Sequence, residues 1–185
     1  MTTLPQSNAT GSAMPGPAPG PRSLTKDQMA AISREMYSGF GQVTTVLMRS
    51  VDYKHAFLTE LEWLVIPSVV SSQFSVASAE EGNTGLQTPR ACVLWAHVSE
   101  AVDRRLSANA GKPRLHPNEW TSGNIAWLID AVGDPRATGM LLKAVVEQRF
   151  AKTGLKTMQR GADGQFKLQL LSKEIGPATV AAGTA

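Results

Sequence analysis

The chain has 185 residues, of which 42% are hydrophobic and 18% charged, with a formal net charge of +3. This length and apolar fraction predict one globular domain with a buried core. No stretch approaches the roughly 20 consecutive apolar residues of a membrane-spanning helix, which argues against stable membrane insertion. The single cysteine, Cys92, leaves no intramolecular disulfide and no cysteine-based metal site, so a reducing, cytoplasmic setting fits.

The first 22 residues are small or polar and contain almost no large apolar side chains. Such a segment cannot bury enough surface to offset its chain entropy. The sequence therefore predicts a disordered leader over residues 1–22, one folded domain over 23–175 and a frayed tail over 176–185.

The first part of the domain is expected to be helical. Thr25 and Gln28 have the spacing of a capping box, which marks a helix start. Glycines near residue 40 predict an interruption, and Pro67 predicts the first turn of a new helix. The expected helices cover residues 25–37, 42–49, 56–66 and a short segment from Pro67.

The remaining elements alternate between strands and helices. Residues 73–79 and 90–97 predict an antiparallel strand pair. A helix over 99–108 should place Asp103 on its exposed side. Residues 125–132 form an apolar run with β-branched and aromatic members, which predicts a central strand buried on both faces.

The last third begins with Asp134-Pro135, a helix N-cap followed by proline at the first helical position. That helix should run to about Phe150. Two strands, 155–160 and 165–171, flank a glycine-containing turn. The whole order predicts an α/β (α+β) fold, in which helices flank a mixed, mostly antiparallel sheet.

Asp130 interrupts the buried central strand. Desolvating a carboxylate is costly, so its side chain must find a partner or stay protonated. A structural carboxylate, for instance one that caps the next helix, and a functional one are both consistent with the residues alone.

Charge is distributed unevenly. Residues 136–173 contain eight basic and two acidic side chains, which suggests an acidic partner, although an ordinary solvated face fits the same pattern equally well. No aromatic stacking pattern accompanies the charge, which disfavours nucleic acid. No His, Cys or carboxylate pair has the spacing of a metal site.

Two blocks of short motifs resemble the RTX toxin-activating lysine acyltransferases, whose fold is similar to that of the GNAT acetyltransferases. The first block contains Gly41-Gln42-Val43, Leu64-Val65-Ile66-Pro67 and Gln73-Phe74. The second block contains Trp95-Ala96, Trp120-Thr121-Ser122-Gly123 and Trp127-Leu128-Ile129-Asp130. The order and spacing of these motifs match the family over roughly residues 41–150.

The resemblance implies a GNAT-like fold and a protein-lysine fatty acyltransferase. It would transfer the acyl chain from acyl carrier protein to an internal lysine of an RTX-type protoxin, with no cofactor beyond the acylated carrier. The basic C-terminal region would then dock the acidic carrier. The resemblance also implies a homodimer.

The family's catalytic pair is a His that follows the first helical block and the Asp of the Trp-x-[Ile/Val]-Asp strand. The Asp carries over to Asp130. In the ungapped register, however, the His position falls on Tyr53, and His55 lies two residues later. Either His55 enters the site as the base or Tyr53 fills the position, although a phenol with a pKa near 10 is a poor base.

Two alternatives follow. The substitution at Tyr53 would suit a catalytically impaired homologue that acts as a carrier- or toxin-binding module. Separately, Arg136-Ala137-Thr138-Gly139 is similar to the start of the pyrophosphate motif of coenzyme-A-dependent N-acetyltransferases, although Leu141 departs from its last position.

Overall fold

The computed structural model describes residues 24–109 and 111–172. The leader predicted over residues 1–22 and the tail predicted over 176–185 lie outside the described residues, so these domain boundaries stay predictions. Within the described ranges, no helix is long and apolar enough to cross a membrane.

The elements of the described ranges follow the predicted order. The helices are α1 (Lys26–Arg49), α2 (Thr59–Val70), α3 (Glu100–Ala108) and α4 (Pro135–Arg149). The strands are β1 (Phe74–Glu80), β2 (Gln87–Val98), β3 (Ile125–Gly133), β4 (Leu155–Arg160) and β5 (Phe166–Leu171). A 3₁₀ turn, Pro117–Glu119, precedes β3.

The strands form one sheet in the order β1-β2-β3-β4-β5. Every neighbouring pair is antiparallel except β3 and β4, which run parallel and pair at Trp127 and Lys156. This arrangement confirms the predicted mixed, mostly antiparallel α+β fold.

The core lies on both faces of the sheet, because side chains alternate along β2. Leu94 and Ala96 face α1, α2 and α3 in one apolar cluster, whereas Val93 and Trp95 face α4 in another. Three tryptophans of the motifs are buried, with exposures of 1% for Trp120, 0% for Trp127 and 2% for Trp95. Burial on both faces explains the nearly continuous apolar runs of β2 and β3.

Helix α1 is continuous, so the predicted interruption near residue 40 is wrong. Its N-terminus has the predicted capping box of Thr25 and Gln28. Gly39 is buried against the ring of Phe74, and a Cβ added to it would lie 2.5 Å from the Phe74 Cζ atom. The glycine therefore permits close contact between helix and sheet, which outweighs its low helix propensity of about 1 kcal/mol.

Helix α2 also passes through the predicted boundary at Pro67, which lies inside the helix. A proline there removes the hydrogen bond to the carbonyl four residues earlier. That carbonyl belongs to Trp63, and it accepts a hydrogen bond from the Trp120 indole N–H at 3.0 Å instead. A distant side chain thus replaces the lost helical bond.

Asp103 is not on an exposed face as expected. Its carboxylate accepts hydrogen bonds from Trp127 Nε1 at 2.8 Å and from Lys156 Nζ at 2.8 Å, which ties α3 to β3 and β4. Burial alone would raise the pKa of Asp103, but the hydrogen bonds from Lys156 and Trp127 and the Lys156 charge lower it below its usual value.

Replacing Trp120 should expose the dependence of α2 on this long-range bond. We expect Trp120→Phe to lower the free energy of unfolding by about 1–3 kcal/mol, because the Trp63 carbonyl loses its partner. In a Pro67→Ala background the same change should cost less, since the N–H that Pro67→Ala adds can reach that carbonyl. Urea unfolding of the four proteins in this cycle measures the difference, and equal costs in both backgrounds would contradict it.

Replacing Asp103 should give a pH-dependent loss of stability. Because the folded-state pKa is lowered, its contribution is present above the unfolded pKa of about 3.9 and is lost as pH falls through the folded value. We expect Asp103→Asn to cost about 1 kcal/mol at pH 7. The difference from the unsubstituted protein should shrink below pH 4, as measured by unfolding at both pH values. A difference that does not change with pH would rule out an ionised pair.

Candidate active site

A register shift in the sheet aims Asp130 at the face covered by α1. Leu94 pairs with Asp130, but the next residue of β2, Trp95, pairs with Leu128, so Ile129 is an extra residue in β3. Such a bulge reverses the alternation of side chains. Leu128 packs in the α4 cluster, whereas Asp130 lies opposite Leu94 on the other face.

Tyr53 reaches Asp130 from the turn that follows α1. Ser50 forms this turn: its carbonyl accepts hydrogen bonds from the N–H groups of Tyr53 at 3.2 Å and Lys54 at 2.9 Å. The half-buried Tyr53 side chain donates its phenol hydrogen to Asp130 Oδ2. The other oxygen, Oδ1, accepts the N–H of Ala131 at 2.9 Å. Both oxygens of the carboxylate are therefore held.

Lys112, in the loop after α3, is the third side chain of the site beside Tyr53 and Asp130. Its Nζ atom lies 3.6 Å from Asp130 Oδ2 and 5.2 Å from the centroid of the Tyr53 ring. The ammonium thus contacts both the carboxylate and the aromatic face. Sequence reasoning missed Lys112, because nothing in its neighbourhood distinguishes it from an ordinary exposed lysine.

Burial and the nearby carboxylate keep two groups protonated. Burial, followed by the charge of Asp130, raises the pKa of the Tyr53 phenol well above its usual value. Tyr53 is therefore a hydrogen-bond donor at neutral pH. Burial likewise raises the pKa of Cys92 to about 12, with a smaller contribution from Asp130. Cys92 is a buried thiol and lacks the thiolate that a nucleophile needs.

His55 lies in the same turn, but its side chain is exposed. Among the described residues, the Asp130 side chain contacts Tyr53, Lys112 and the Ala131 N–H. The structure thus brings together Tyr53 and Asp130, and it leaves His55 outside this group. A role for His55 as the base stays a prediction.

Gln73, from the first motif block, contacts Trp120 of the second block and the neighbouring His97. Its Nε2 donates to the Trp120 carbonyl at 3.2 Å, and its Oε1 lies 3.2 Å from His97 Nδ1. Burial lowers the pKa of His97, which favours a neutral, structural imidazole. A Cβ on Gly123 would lie 2.5 Å from the Val98 carbonyl oxygen, so only glycine fits there.

The coenzyme-A interpretation loses support at α4. The Asp134 carboxylate accepts the Ala137 N–H at 2.9 Å and so occupies the helix N-terminus. A negative charge at that position would repel a pyrophosphate. Within residues 24–109 and 111–172, no group of three or more His, Cys, Asp or Glu side chains could hold a metal ion.

Comparison with known families agrees with the motif order. The model of the RTX toxin acyltransferase family matches residues 32–172 of the 185. No curated protein matches the chain in a direct comparison. The matched range contains all five strands and the residues Tyr53, Lys112 and Asp130. The chain therefore belongs to the RTX toxin acyltransferase family.

Proposed function

We propose that this protein transfers a fatty acyl group from acyl carrier protein to the amine of an internal lysine in an RTX-type protoxin. The family assignment supports acyl transfer to such a toxin. The observation that carries the site assignment is the contact between Tyr53 and Asp130, two residues that are far apart in sequence and both match positions of the family's catalytic pair.

The chemistry begins with the target lysine, whose ammonium has an ordinary pKa near 10.4 and must lose a proton before it attacks. In the proposed mechanism the Asp130 carboxylate accepts this proton. The amine nitrogen then attacks the thioester carbon, the C–S bond breaks, and an amide forms. The carrier leaves as a thiolate and takes the second proton that the attacking nitrogen loses, which gives the free thiol and the neutral amide. Asp130 then releases its proton to water, so charge and atoms balance.

The neighbours of Asp130 have separate roles in this mechanism. Tyr53, as a protonated phenol, donates a hydrogen bond to the developing oxyanion. Lys112 places a positive charge 3.6 Å from the carboxylate, which it attracts. The reaction needs no cofactor beyond the acylated carrier.

The carrier would dock on the basic C-terminal region. Arg136, Lys152 and Arg160 are exposed there. Lys143 and Lys167 form exposed ion pairs with carboxylates four residues away, and an acidic partner can replace those carboxylates at little cost in free energy.

The cytoplasm is the proposed location, and the homodimer implied by the resemblance stays a prediction.

One observation favours a second candidate function. Tyr53 occupies the position that the family fills with an imidazole, and burial keeps its phenol protonated. A chain without a working base would act as a docking module that binds carrier or protoxin without acylating it. Binding with no acyl mass gain, in any variant, would support this alternative.

Asp130→Asn should abolish acyl transfer while the protein stays folded. The amide cannot accept the lysine proton, and we expect a loss of about 100-fold or more. Intact-mass spectrometry of coexpressed candidate protoxin measures the acyl gain. Asp52→Asn, which changes an exposed carboxylate one residue before Tyr53, is the matched control and should retain activity. Full acylation by Asp130→Asn would remove Asp130 from the mechanism.

Tyr53→Phe and His55→Ala separate the two candidates for the second catalytic residue. We expect Tyr53→Phe to lower acyl transfer about 10-fold or more, since it removes the phenol beside Asp130. His55→Ala should change it by less than about 2-fold, because an exposed side chain outside the Asp130 contacts contributes little. The same mass assay decides. The opposite pattern would mean that the turn rearranges on substrate binding and brings His55 to Asp130.

A further inference from the structure

A pocket of about 280 Å³ opens beside Tyr53, between the C-terminal half of α1, the turn that follows it and the start of α2. Most of its lining is apolar. The apolar side chains around Tyr53 are Leu47, Met48, Phe57, Leu58, Leu61 and Leu64. Neither the catalytic proposal nor the core of the sheet accounts for this cavity.

The rim of the pocket carries large apolar side chains in water. Met48 is 71% exposed, Phe57 79% and Leu58 85%. Clustered exposed groups of this size mark a surface that binds an apolar partner. A ligand in the pocket would remove them from water, and this burial would drive its binding.

Tyr53 belongs both to the pocket and to the site. Its ring lines the cavity, while its phenol donates to Asp130. A molecule that fills the pocket therefore contacts the ring whose phenol is hydrogen-bonded to Asp130. Ligand pockets commonly combine an apolar wall with a few polar groups that fix orientation, and Tyr53 is such a group here.

We propose that this pocket binds the aliphatic chain of the acyl donor and thereby presents its thioester carbon to Asp130. The inference rests on the proposed acyl transfer for the identity of the chain. Leu61 and Leu64, on the inner wall, would then limit the length of chain that the protein accepts.

Other occupants fit the surface less well. A second protein molecule would need a contact on the order of 1,200 Å² or more, whereas the feature here is a small concave cavity. Residues 1–23 have only Met1, Leu4 and Met14 as large apolar side chains, too few to cover the pocket and its rim. A flexible alkyl chain matches the shape and the apolar lining.

The test is equilibrium binding of cis-parinaric acid, a fluorescent fatty acid, to the purified full-length chain. Met48→Glu places a charge on the rim and should weaken binding by about 5-fold or more. Phe57→Ser, at an exposed position that is safe for folding, should also weaken it. The matched control is Met140→Glu, because Met140 is 67% exposed on α4 and does not line the pocket. It should bind as the unsubstituted protein does.

The outcomes distinguish binding of an alkyl chain in the pocket from the acyl-transfer reaction. Asp130→Asn should bind the probe normally while it fails to acylate, since Asp130 does not line the cavity. Equal binding by Met48→Glu and Met140→Glu, or no binding by the unsubstituted protein, would overturn the inference whatever the activity. If the probe binds with the expected pattern but no protoxin gains an acyl mass, the result supports the pocket as an alkyl-chain site and contradicts the proposed acyl transfer.

A chain-length experiment checks the same pocket during turnover. Leu61→Phe narrows the inner wall, so the acyl groups found on coexpressed protoxin should shift towards shorter chains. If Leu61→Phe stays active and the acyl groups keep the same distribution of lengths, the acyl chain does not bind in this pocket. The pocket could instead be covered by a second copy of the chain. In that case the unsubstituted protein would be a dimer that does not bind the probe, and Met48→Glu would dissociate the dimer.

Discussion

The extra residue in β3 determines which face of the sheet carries Asp130. Without Ile129 as a bulge, Asp130 would continue the alternation of Leu128 and lie among the apolar side chains under α4. With it, the carboxylate faces the turn after α1, where the Tyr53 phenol reaches it. A one-residue irregularity thus converts a buried strand into a support for a polar group. Bulges beside active sites in other sheets act in the same way.

Trp120, in the second motif block, connects two distant parts of the chain. Its indole satisfies the carbonyl that Pro67 leaves without a helical partner, and its backbone carbonyl accepts a bond from Gln73. Bonds between side chains and backbone groups thus join α2, the start of β1 and the turn before β3.

Local signals predicted most of the fold, and non-local contacts account for the errors. The Thr25 capping box and the Asp134 cap depend on residues three positions away, so sequence spacing was sufficient. Gly39 and Pro67 were interpreted as breaks, because their partners Phe74 and Trp120 come from other parts of the chain. In the site, the resemblance indicated Asp130 as one candidate, and His55 and Tyr53 as rival candidates for the second residue. The loop that carries Lys112 could be placed only by the folded structure.

The protonated phenol at residue 53 also changes how the site would respond to acidity in its surroundings. An imidazole gains or loses a charge close to neutral pH, so an enzyme that depends on one responds to modest acidification. The Tyr53 phenol, with its pKa raised by burial and by Asp130, keeps its proton across that range. In the register that the resemblance implies, a fixed donor therefore stands where the family has a proton carrier. The charge of residue 53 would not change over a modest range of pH.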